Sequence, residues 1–529
     1  MGKESPIPRA PTTSVTEAAT EAATERKVKK QFNFWTALGI AICTSGAWEG
    51  WVASIGQGIV GGGAVGLVWG WVFVSVGITC MAATLGEFAS MWPSAGAQYV
   101  WASHLSPRKY ARLVSWFTAW ISIAGLWLGS LSCSMGVAVQ IQSYAASASN
   151  YAPLTWHAFL INVACLACWV AVNIFYVKFL HYMNSFILVV HVVGYLITIG
   201  LLTGLTKNKH DATYVFTDFH SYTGWDNDFV SWSISLLSAL YAFFSIDAAA
   251  HFAEEIPKAN VAVPRAMILQ ASSSAISTFP LVIAVVFCSQ DLAQVLASPI
   301  GLMSPFTQMF IDATGSVPLA IFVNGLSTSV AFAAGFDLWG AASRSLWSMA
   351  RDGGLPAWLG RVDEKGNLNF VVNLIMIPPS VIIYMIYIWN TTAFYGIMAG
   401  VLVALQISYV IPLALNLFYA RRNLPLERGP FHLGYFTPFV NALGLVFGCF
   451  MIVFMSFPVY RPVTATSRNY ASTLIGAIII FSVLGWFFYG KKNYQGALEI
   501  IDAEAPADEV EKNTEGQPSR YAQATEIRV

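Results

Sequence analysis

The chain has 529 residues, of which 56% are hydrophobic and only 11% are charged, and its formal net charge is +0. A soluble globular domain has about 25% charged and about 45–50% apolar residues. This composition excludes a soluble or disordered protein and offers no basic surface for nucleic acid, so it predicts an all-α polytopic membrane protein.

The two ends of the chain are polar. Residues 1–30 are rich in Thr, Ala and Glu, have no apolar stretch of the kind found in secretory signals, and predict a disordered tail. Residues 491–529 form a second polar tail. Between them, residues 31–490 leave room for about twelve spans of about 20 residues. The predicted spans are 34–58, 67–90, 111–140, 156–177, 181–205, 229–251, 266–288, 317–342, 370–389, 394–419, 434–458 and 470–490.

Basic residues are distributed unevenly between alternate loops. With the amino terminus inside, 24 of the 28 Lys and Arg residues fall in the tails and inner loops, and 4 fall in the outer loops. Cytoplasmic loops carry an excess of Lys and Arg, so the sequence predicts that both tails are cytoplasmic. The sequon at Asn390 falls in a very short outer loop and is interpreted as a chance match.

Polar and Gly-rich residues interrupt two of the predicted spans. Backbone polar groups in hydrocarbon need partners, so such breaks usually line a cavity. A kink at a helix contact is the alternative for either break on its own. Breaks at matching positions of two halves are typical of a transporter site. The breaks are Thr44, Ser45, Gly46, Ala47, Trp48, Glu49 and Gly50 in the first span, and Phe243, Phe244, Ser245, Ile246 and Asp247 in the sixth.

Four acidic residues fall inside predicted spans, where an ionised carboxylate is costly and usually functional. Asp247 lies at the second break and is predicted to gate the cavity or to bind substrate. Glu49, close to the first break, is left open between a binding and a structural role. Glu87 is interpreted as solvated by lipid headgroups or as a gating or structural residue. Asp337 is predicted to pair with Arg344, seven residues further along the helix, in a gating or structural role.

One histidine and four aromatic residues near the breaks each have two interpretations. His191 lies in the middle of the fifth span and is either a satisfied core residue or a proton carrier, since imidazole exchanges protons near neutral pH. Trp48 and Trp51, with Phe243 and Phe244, form either a cation–π cage for an ammonium group or ordinary aromatic packing.

Three longer stretches have the character of family signatures. They are Glu87 to Trp101 with its Pro93, Gly96 and Tyr99; Phe244 to Glu255, followed by Val263, Pro264 and Arg265; and Ser343 to Pro356 with its Arg344, Trp347 and Arg351. Together they resemble the amino acid–polyamine–organocation transporter superfamily, and more narrowly the fungal amino acid/choline permeases. The likeness runs from about residue 32 to 490.

The resemblance implies two inverted five-helix repeats, about 34–205 and 229–419, followed by two extra helices at about 434–490. It implies alternating access around the first and sixth spans, with residues 44–47 and 243–247 lining the substrate site.

Individual residues gain expectations from the same resemblance. His191 falls where proton-coupled carriers of the superfamily often have a basic residue in place of sodium. Glu254 and Glu255 correspond to a cytoplasmic pair that gates or supports the fold. Two departures concern specificity: Ser245 stands where relatives usually have Gly, and Trp48 with Glu49 puts bulk and charge beside a break that is often small and neutral.

The sequence therefore predicts a plasma-membrane secondary transporter of a small amine (choline, a polyamine, an alkaloid-like cation or γ-aminobutyrate), coupled to protons. Three alternatives stay open: a permease for neutral or basic α-amino acids, an exporter of a specialised nitrogenous metabolite, and a sensor that binds without transport. The predicted partners are the substrate, protons and the lipid bilayer. No enzyme constellation is found, and no cofactor, metal or nucleic-acid partner is predicted.

Overall fold

The computed structural model describes residues 30, 32–362, 370–389, 393–464 and 468–497, and the regular elements in these ranges are all helices. The sequon at Asn390 and nearly all of the predicted tails (1–29 and 498–529) lie outside the described residues. The prediction of an all-α fold is confirmed.

The helices of the first half of the chain are long. They are α1 (Phe34–Ser45), α2 (Ala47–Met91), α3 (Gln98–Leu105), α4 (Arg108–Ala148), α5 (Thr155–Phe175), α6 (Val177–Leu205) and α7 (Ala212–Thr217). The middle of the chain holds α8 (Asp228–Ala242), a 3-10 segment (Ala248–Glu255), α9 (Ala259–Cys288), α10 (Leu292–Ala297), α11 (Pro299–Met303), α12 (Pro305–Thr314) and α13 (Val317–Arg351).

The last part of the chain contains five further α-helices and several short turns. A 3-10 turn (Ala357–Gly360) precedes α14 (Val371–Ile375), α15 (Ile377–Trp389) and α16 (Ala393–Leu415). A π turn (Asn416–Ala420) with Arg421–Asn423 extends α16, and a 3-10 turn (Gly434–Phe436) leads into α17 (Thr437–Phe454). The final helix, α18 (Ala471–Gly485), continues into a π turn (Trp486–Gly490) and Lys491–Asn493.

Twelve membrane crossings follow from these lengths. In the described ranges, nine helical stretches are long and apolar enough to cross a membrane, and the first of them, Phe34–Met91, has 58 residues. At about 1.5 Å per residue it is far longer than a hydrocarbon core of about 30 Å, so it crosses twice. α8 with its 3-10 segment, and α14 with α15, supply the other two crossings. Each predicted span coincides with a helical stretch.

The turn between the first two crossings depends on Gly63. Its φ of 56° and ψ of −142° are not helical, although helix continues on both sides. A side chain on Gly63 would also approach the carbonyl oxygen of His220 at 3.2 Å from its Cβ. Glycine adopts this conformation without a steric penalty, so the chain can reverse here within a continuous run of apolar residues.

Burial separates central helices from lipid-facing ones. In the most apolar window of α4, 89% of the residues are buried, whereas in the window of the last crossing only 17% are. Both helices are apolar, but only α4 is enclosed by protein. The last crossing therefore presents its apolar side chains to lipid, and α4 lies in the centre of the bundle.

Both ends of the described chain lie on one face of the bundle. Lys30 Nζ donates to the carbonyl oxygen of Ile256 at 3.1 Å. The backbone N–H of Gln495 donates to the carbonyl oxygen of Asp352 at 3.2 Å. Asp352 directly follows α13, so these contacts share one end of the bundle. We call this end the terminal face and the other end the opposite face.

Candidate functional site

Each of the two predicted breaks contains one residue in the left-handed region of backbone conformation. Gly46, between α1 and α2, has φ 45° and ψ 61°. Ser245, between α8 and the 3-10 segment, has φ 51°. For a residue with a side chain this conformation costs about 1–2 kcal/mol. The serine that departs from the family pattern therefore adopts the conformation that a glycine would adopt freely.

The two breaks lie side by side. Ser54 Oγ, just after the first break, donates to the carbonyl oxygen of Ser238 at 3.2 Å. A methyl group on Gly50 would come within 3.3 Å of the carbonyl oxygen of Tyr241. These approaches place the start of α2 against the end of α8, so the backbone groups exposed by the two breaks share one region.

Backbone N–H groups at the second break have no hydrogen-bond partner. Among the described residues, those of Ser245, Ile246 and Asp247 donate to no acceptor, and at the first break the start of α2 has no side-chain cap. Free N–H groups at the start of a helix favour a negatively charged group. The hydroxyl groups of Thr44 and Ser45 are used differently, since they donate to carbonyl oxygens of their own helix at 2.6 and 3.0 Å.

Glu49 and His191 form a buried pair that joins the first break to α6. His191 Nδ1 lies 2.9 and 3.0 Å from the two carboxylate oxygens of Glu49. The Glu49 side chain is 1% exposed and that of His191 is 13% exposed. Trp48 Nε1 adds a hydrogen bond to the carbonyl oxygen of His191 at 3.1 Å. The structure thus brings together three residues that the sequence analysis had singled out separately.

Asp247 is enclosed by donors from the protein itself. Its fully buried carboxylate accepts from His251 Nε2 at 2.8 Å, from the Tyr409 hydroxyl at 2.5 Å, from Gln98 Nε2 and from Ser245 Oγ at 3.2 Å. These contacts support a role in fixing the shape of the second break. A direct contact between Asp247 and substrate stays a prediction.

Sequence reasoning missed the partners of Asp247. The spacing of Asp247 and His251, four residues apart, was a readable signal, because residues at this spacing face each other on a helix. Gln98 lies within one of the three signature stretches but has no distinguishing chemistry there. Tyr409 comes 162 residues later in the chain and gave no signal.

The aromatic residues at the breaks pack in separate groups. Trp71, which the sequence analysis did not single out, lies between Trp51 and Phe243, with ring centroids 6.5 and 5.1 Å away. Phe244 stacks instead on Tyr241 at 5.8 Å. Among the described ring contacts, none joins two of the four rings predicted to form a cage. Phe244 and Tyr241 line the side of the second break that faces α4.

Replacing Gly129 should disturb this aromatic pair. A methyl group on Gly129, in α4, would lie 2.2 Å from Phe244 Cζ. Gly129→Ala must displace the ring, and overpacking of this kind costs about 1–3 kcal/mol. We expect the substrate concentration for half-maximal uptake to rise roughly tenfold. Gly136→Ala, two turns further along the same helix, is the control, because no heavy atom beyond its own helix backbone lies within 4 Å of the added methyl. If both variants raise the substrate concentration for half-maximal uptake equally, the position of the Phe244 ring does not affect uptake.

A large vestibule opens on the opposite face. It has a volume of about 820 Å³. Its lining includes Gln57 of α2, Gln142 of α4, Leu237 of α8 and Met303 of the loop helices. α2 and α8 continue from this lining to the two breaks. Arg468 is the charged residue of the lining. The vestibule therefore lies on the opposite-face side of the two breaks, and its lining ends before the buried break residues.

Charged pairs close the terminal face below the breaks. Arg344 Nε donates to Glu255 Oε1 at 2.5 Å, and Arg351 Nη1 donates to Glu254 Oε2 at 2.8 Å. Both acids follow the second break directly, and both arginines belong to α13. The predicted gating or fold-supporting residues Glu254, Glu255 and Arg344 are thus brought together here.

The three signature stretches meet at this closure. Tyr99 of the first stretch donates to Asp352 Oδ2 of the third at 3.0 Å. Glu254 of the second accepts from the backbone N–H of Ala95 at 3.2 Å and also holds Arg351. Burial raises the pKa of Asp352 to about 6, against the opposing effect of the Arg351 guanidinium. The three stretches that carry the resemblance therefore meet at the terminal face.

Removing Arg344 should destabilise the protein strongly. Both side chains of the pair with Glu255 are about 95% buried, and loss of one partner of such a pair costs about 3–5 kcal/mol. We expect Arg344→Ala to lower the temperature at which half of the detergent-solubilised protein stays monodisperse. Arg422→Ala, at an exposed position, is the control and should leave this temperature unchanged. The prediction fails if the two variants unfold alike.

The predicted pair of Asp337 and Arg344 is wrong. Arg344 is held by Glu255, and Asp337 Oδ1 instead accepts from Asn184 Nδ2 at 2.9 Å. Asp337 and Arg344 lie two turns apart on one face of α13, as the prediction assumed. The 3-10 segment, however, brings the carboxylate of Glu255 closer to the guanidinium of Arg344. Asp337 therefore links α13 to α6, and a structural or gating role for it stays a prediction.

The interpretation of Glu87 as a headgroup-solvated residue is also wrong. Glu87 is 6% exposed. Its Oε1 accepts from the backbone N–H of Leu433 at 2.5 Å and from Thr437 Oγ1 at 2.8 Å. The segment before α17 covers the end of α2, which the sequence did not indicate, so Glu87 anchors this segment.

Two helices broken side by side, with backbone donors without a partner at the second break, a vestibule on one face and a closure on the other, are features of a secondary transporter. The fold is similar to that of a manganese transporter from Eremococcus coleocola, with a TM-score of 0.50, 14% identity, and coverage of 85% of this chain and 94% of that one. Residues 32–481 match the amino acid permease family, and the chain belongs to this family.

Relatives within the family have different substrates in their names. The chain is 30% identical to a choline transporter of Saccharomyces cerevisiae, over 90% of this chain and 84% of the relative. It is 27% identical to amino-acid permease 2 of Neurospora crassa, over 92% and 91%. It is 26% identical to a GABA-specific permease of Saccharomyces cerevisiae, over 89% and 83%. The family thus includes carriers of amines and of amino acids, and this chain is a transporter, not an enzyme.

Proposed function

We propose that the protein imports a small amine, a choline-like cation, a polyamine or γ-aminobutyrate, across the plasma membrane by alternating access coupled to protons. The observation that carries the proposal is the buried Glu49–His191 pair at the first break. A carboxylate at this depth needs a positively charged or hydrogen-bonding partner. The relative named a choline transporter supports an amine as the substrate.

The proton is proposed to sit between His191 Nδ1 and Glu49. Imidazole takes up and releases protons near neutral pH. A proton on His191 strengthens its attraction to Glu49 and so holds the first break against α6. Loss of the proton weakens this contact and frees the break to move. Protonation from one side and release on the other would thus couple the proton to the movement.

The access path supports import from the opposite face. The vestibule approaches the breaks from that face, while Arg344 with Glu255 and Arg351 with Glu254 close the terminal face. Most Lys and Arg residues fall in the tails and inner loops, so we assign the terminal face and both termini to the cytoplasm. Transport then requires the terminal face to open and the vestibule to close.

A second function, transport of α-amino acids, is favoured by the backbone N–H groups without a partner at the second break. They suit a substrate carboxylate, and Glu49 at the neighbouring first break could attract an ammonium group. The relative named an amino-acid permease supports this alternative. A substrate with a carboxylate and an ammonium group, such as γ-aminobutyrate, would satisfy both the backbone N–H groups and Glu49.

Uptake of a labelled panel in transporter-deficient cells tests the proposal. The panel holds choline, putrescine, γ-aminobutyrate, arginine and proline, each measured with and without a proton uncoupler. Uncoupler-sensitive uptake of choline, putrescine or γ-aminobutyrate is the expected result. Uptake of proline and arginine alone would favour the amino-acid alternative. Efflux from preloaded cells without uptake would indicate an exporter, and binding without exchange of labelled substrate would indicate a sensor.

A further inference from the structure

A polar cavity on the terminal face, away from the breaks, is lined by basic side chains. It has a volume of about 250 Å³ and lies between the end of α2 and the segment that leads from α16 to α17. Its basic lining residues are Arg421, Arg428 and His432, and its acidic lining residue is Glu87. At about 30 Å³ per water molecule, the cavity has room for a phosphate group and several waters.

The basic side chains of this cavity have no partner in the protein. Arg344 and Arg351 are held by buried carboxylates. In the part of the chain that the structure describes, the side chains of Arg421, Arg428 and His432 make no hydrogen bond or ion pair. Their donors are therefore available to a ligand with acceptor oxygens.

The wall that carries these side chains is anchored to α2. Ser90 Oγ accepts from the backbone N–H of Phe431 at 2.9 Å and donates to the carbonyl oxygen of Asn260 at 2.9 Å. Glu87 holds the backbone N–H of Leu433 and the hydroxyl of Thr437 through the same oxygen. Two anchors fix the segment, and the carboxylate of the lining is already engaged in hydrogen bonds. The cavity is thus a built feature of the fold, with two guanidinium groups against one carboxylate.

The cavity lies at the depth of lipid headgroups. Tyr435 and Phe436, between the cavity wall and α17, are 100% and 72% exposed, and Phe439 in the first turn of α17 is 65% exposed. Exposed aromatic residues at the end of a membrane helix mark the boundary between hydrocarbon and headgroups. Basic pockets between helices at this level suit phosphorylated headgroups.

We propose that this cavity binds the phosphate group of an anionic phospholipid, held between the guanidinium groups of Arg421 and Arg428. The planar guanidinium offers paired donors that match the oxygens of a phosphate. His432 adds a third donor. A headgroup bound here joins α2 to the segment before α17, so its binding stabilises the folded protein.

Thermal unfolding of the full-length protein in neutral detergent tests this proposal. Phosphatidylinositol 4-phosphate in phosphatidylcholine mixed micelles is the first probe, phosphatidylcholine alone is the blank, and inorganic phosphate is a separate arm. We expect the phosphorylated lipid to raise the unfolding temperature. Arg421→Gln and Arg428→Gln should each raise the lipid concentration for half-maximal stabilisation at least tenfold, and Arg428→Lys should give an intermediate value.

Arg422→Gln is the matched control. It removes the same charge from the neighbouring residue, which is exposed to solvent as Arg421 and Arg428 are but does not line the cavity. It should leave the lipid response unchanged. An equal loss in Arg422→Gln, or no response of the unmodified protein to either probe, would overturn the proposal. Stabilisation by inorganic phosphate but not by the lipid would retain the phosphate site and assign it to a water-soluble ligand, overturning the lipid as its source. Unfolding temperatures without ligand show whether each variant is folded.

Discussion

Glu49→Gln should abolish proton-coupled uptake while leaving the protein folded. The amide has the size of the carboxylate and can still hydrogen-bond His191, but it lacks the charge that favours a proton on the imidazole. We expect the initial uptake rate to fall at least tenfold, which corresponds to about 1.4 kcal/mol. The remaining uptake should no longer respond to a pH gradient. Uptake of labelled substrate into proteoliposomes with an imposed gradient measures both quantities.

An exposed carboxylate–imidazole pair provides the control for this experiment. His220 Nδ1 lies 3.5 Å from Asp218 Oδ1, and these side chains are 63% and 39% exposed. Asp218→Asn makes the same chemical change in solvent, where such a pair contributes little, so uptake and its pH dependence should stay as in the unmodified protein. Gradient-driven uptake that persists in Glu49→Gln would show that the proton is carried elsewhere.

Asp247→Ala should destabilise the protein more than any other single change at the breaks. The carboxylate accepts from four donors, two in its own segment (Ser245 and His251) and two from α3 and α16 (Gln98 and Tyr409). Its removal leaves buried donors without an acceptor. Removing one partner from a buried charged network costs about 3–5 kcal/mol. We expect the unfolding temperature of the detergent-solubilised protein to fall by about 5 °C or more.

Tyr409→Phe is the graded comparison for Asp247→Ala. It removes one donor and leaves the carboxylate with His251, Gln98 and Ser245. A single hydrogen bond to a charged group contributes about 1.5–3 kcal/mol, so the fall in unfolding temperature should be smaller. If Asp247→Ala unfolds at the same temperature as the unmodified protein but loses transport, then Asp247 binds substrate directly and the structural role is wrong.

The number and order of the crossings could be predicted because each depends on local composition. A run of about 20 apolar residues has to form a helix in a bilayer, whatever its neighbours. The breaks at Gly46 and Ser245 were predictable for the same reason, since polar residues interrupt those runs. The ends of the crossings were less predictable. In the sixth predicted span, α8 ends at Ala242 and a 3-10 segment begins at Ala248, whereas the sequence suggested one continuous span to residue 251.

The contacts of the site could be predicted only in part. Glu49 and His191 were each selected for their charge or proton chemistry, but their pairing across 142 residues depends on how α1 and the first break pack on α6. The partner predicted for Arg344 was wrong because spacing on one helix says nothing about a competing carboxylate, here that of Glu255, from another element. Asp247 was selected correctly as unusual, yet its partner Tyr409 is chemically unremarkable in sequence.

The three signature stretches include most of the second break and none of the first. These stretches meet at the closure around Glu254, Arg351 and Asp352, which alternating access would have to open. Glu49 and His191, which we propose to carry the proton, lie outside all three stretches. We expect relatives named for choline, γ-aminobutyrate and amino acids to share this closure. Assigning a cargo within the family would then require a comparison of the first break and of His191 rather than of the signature stretches.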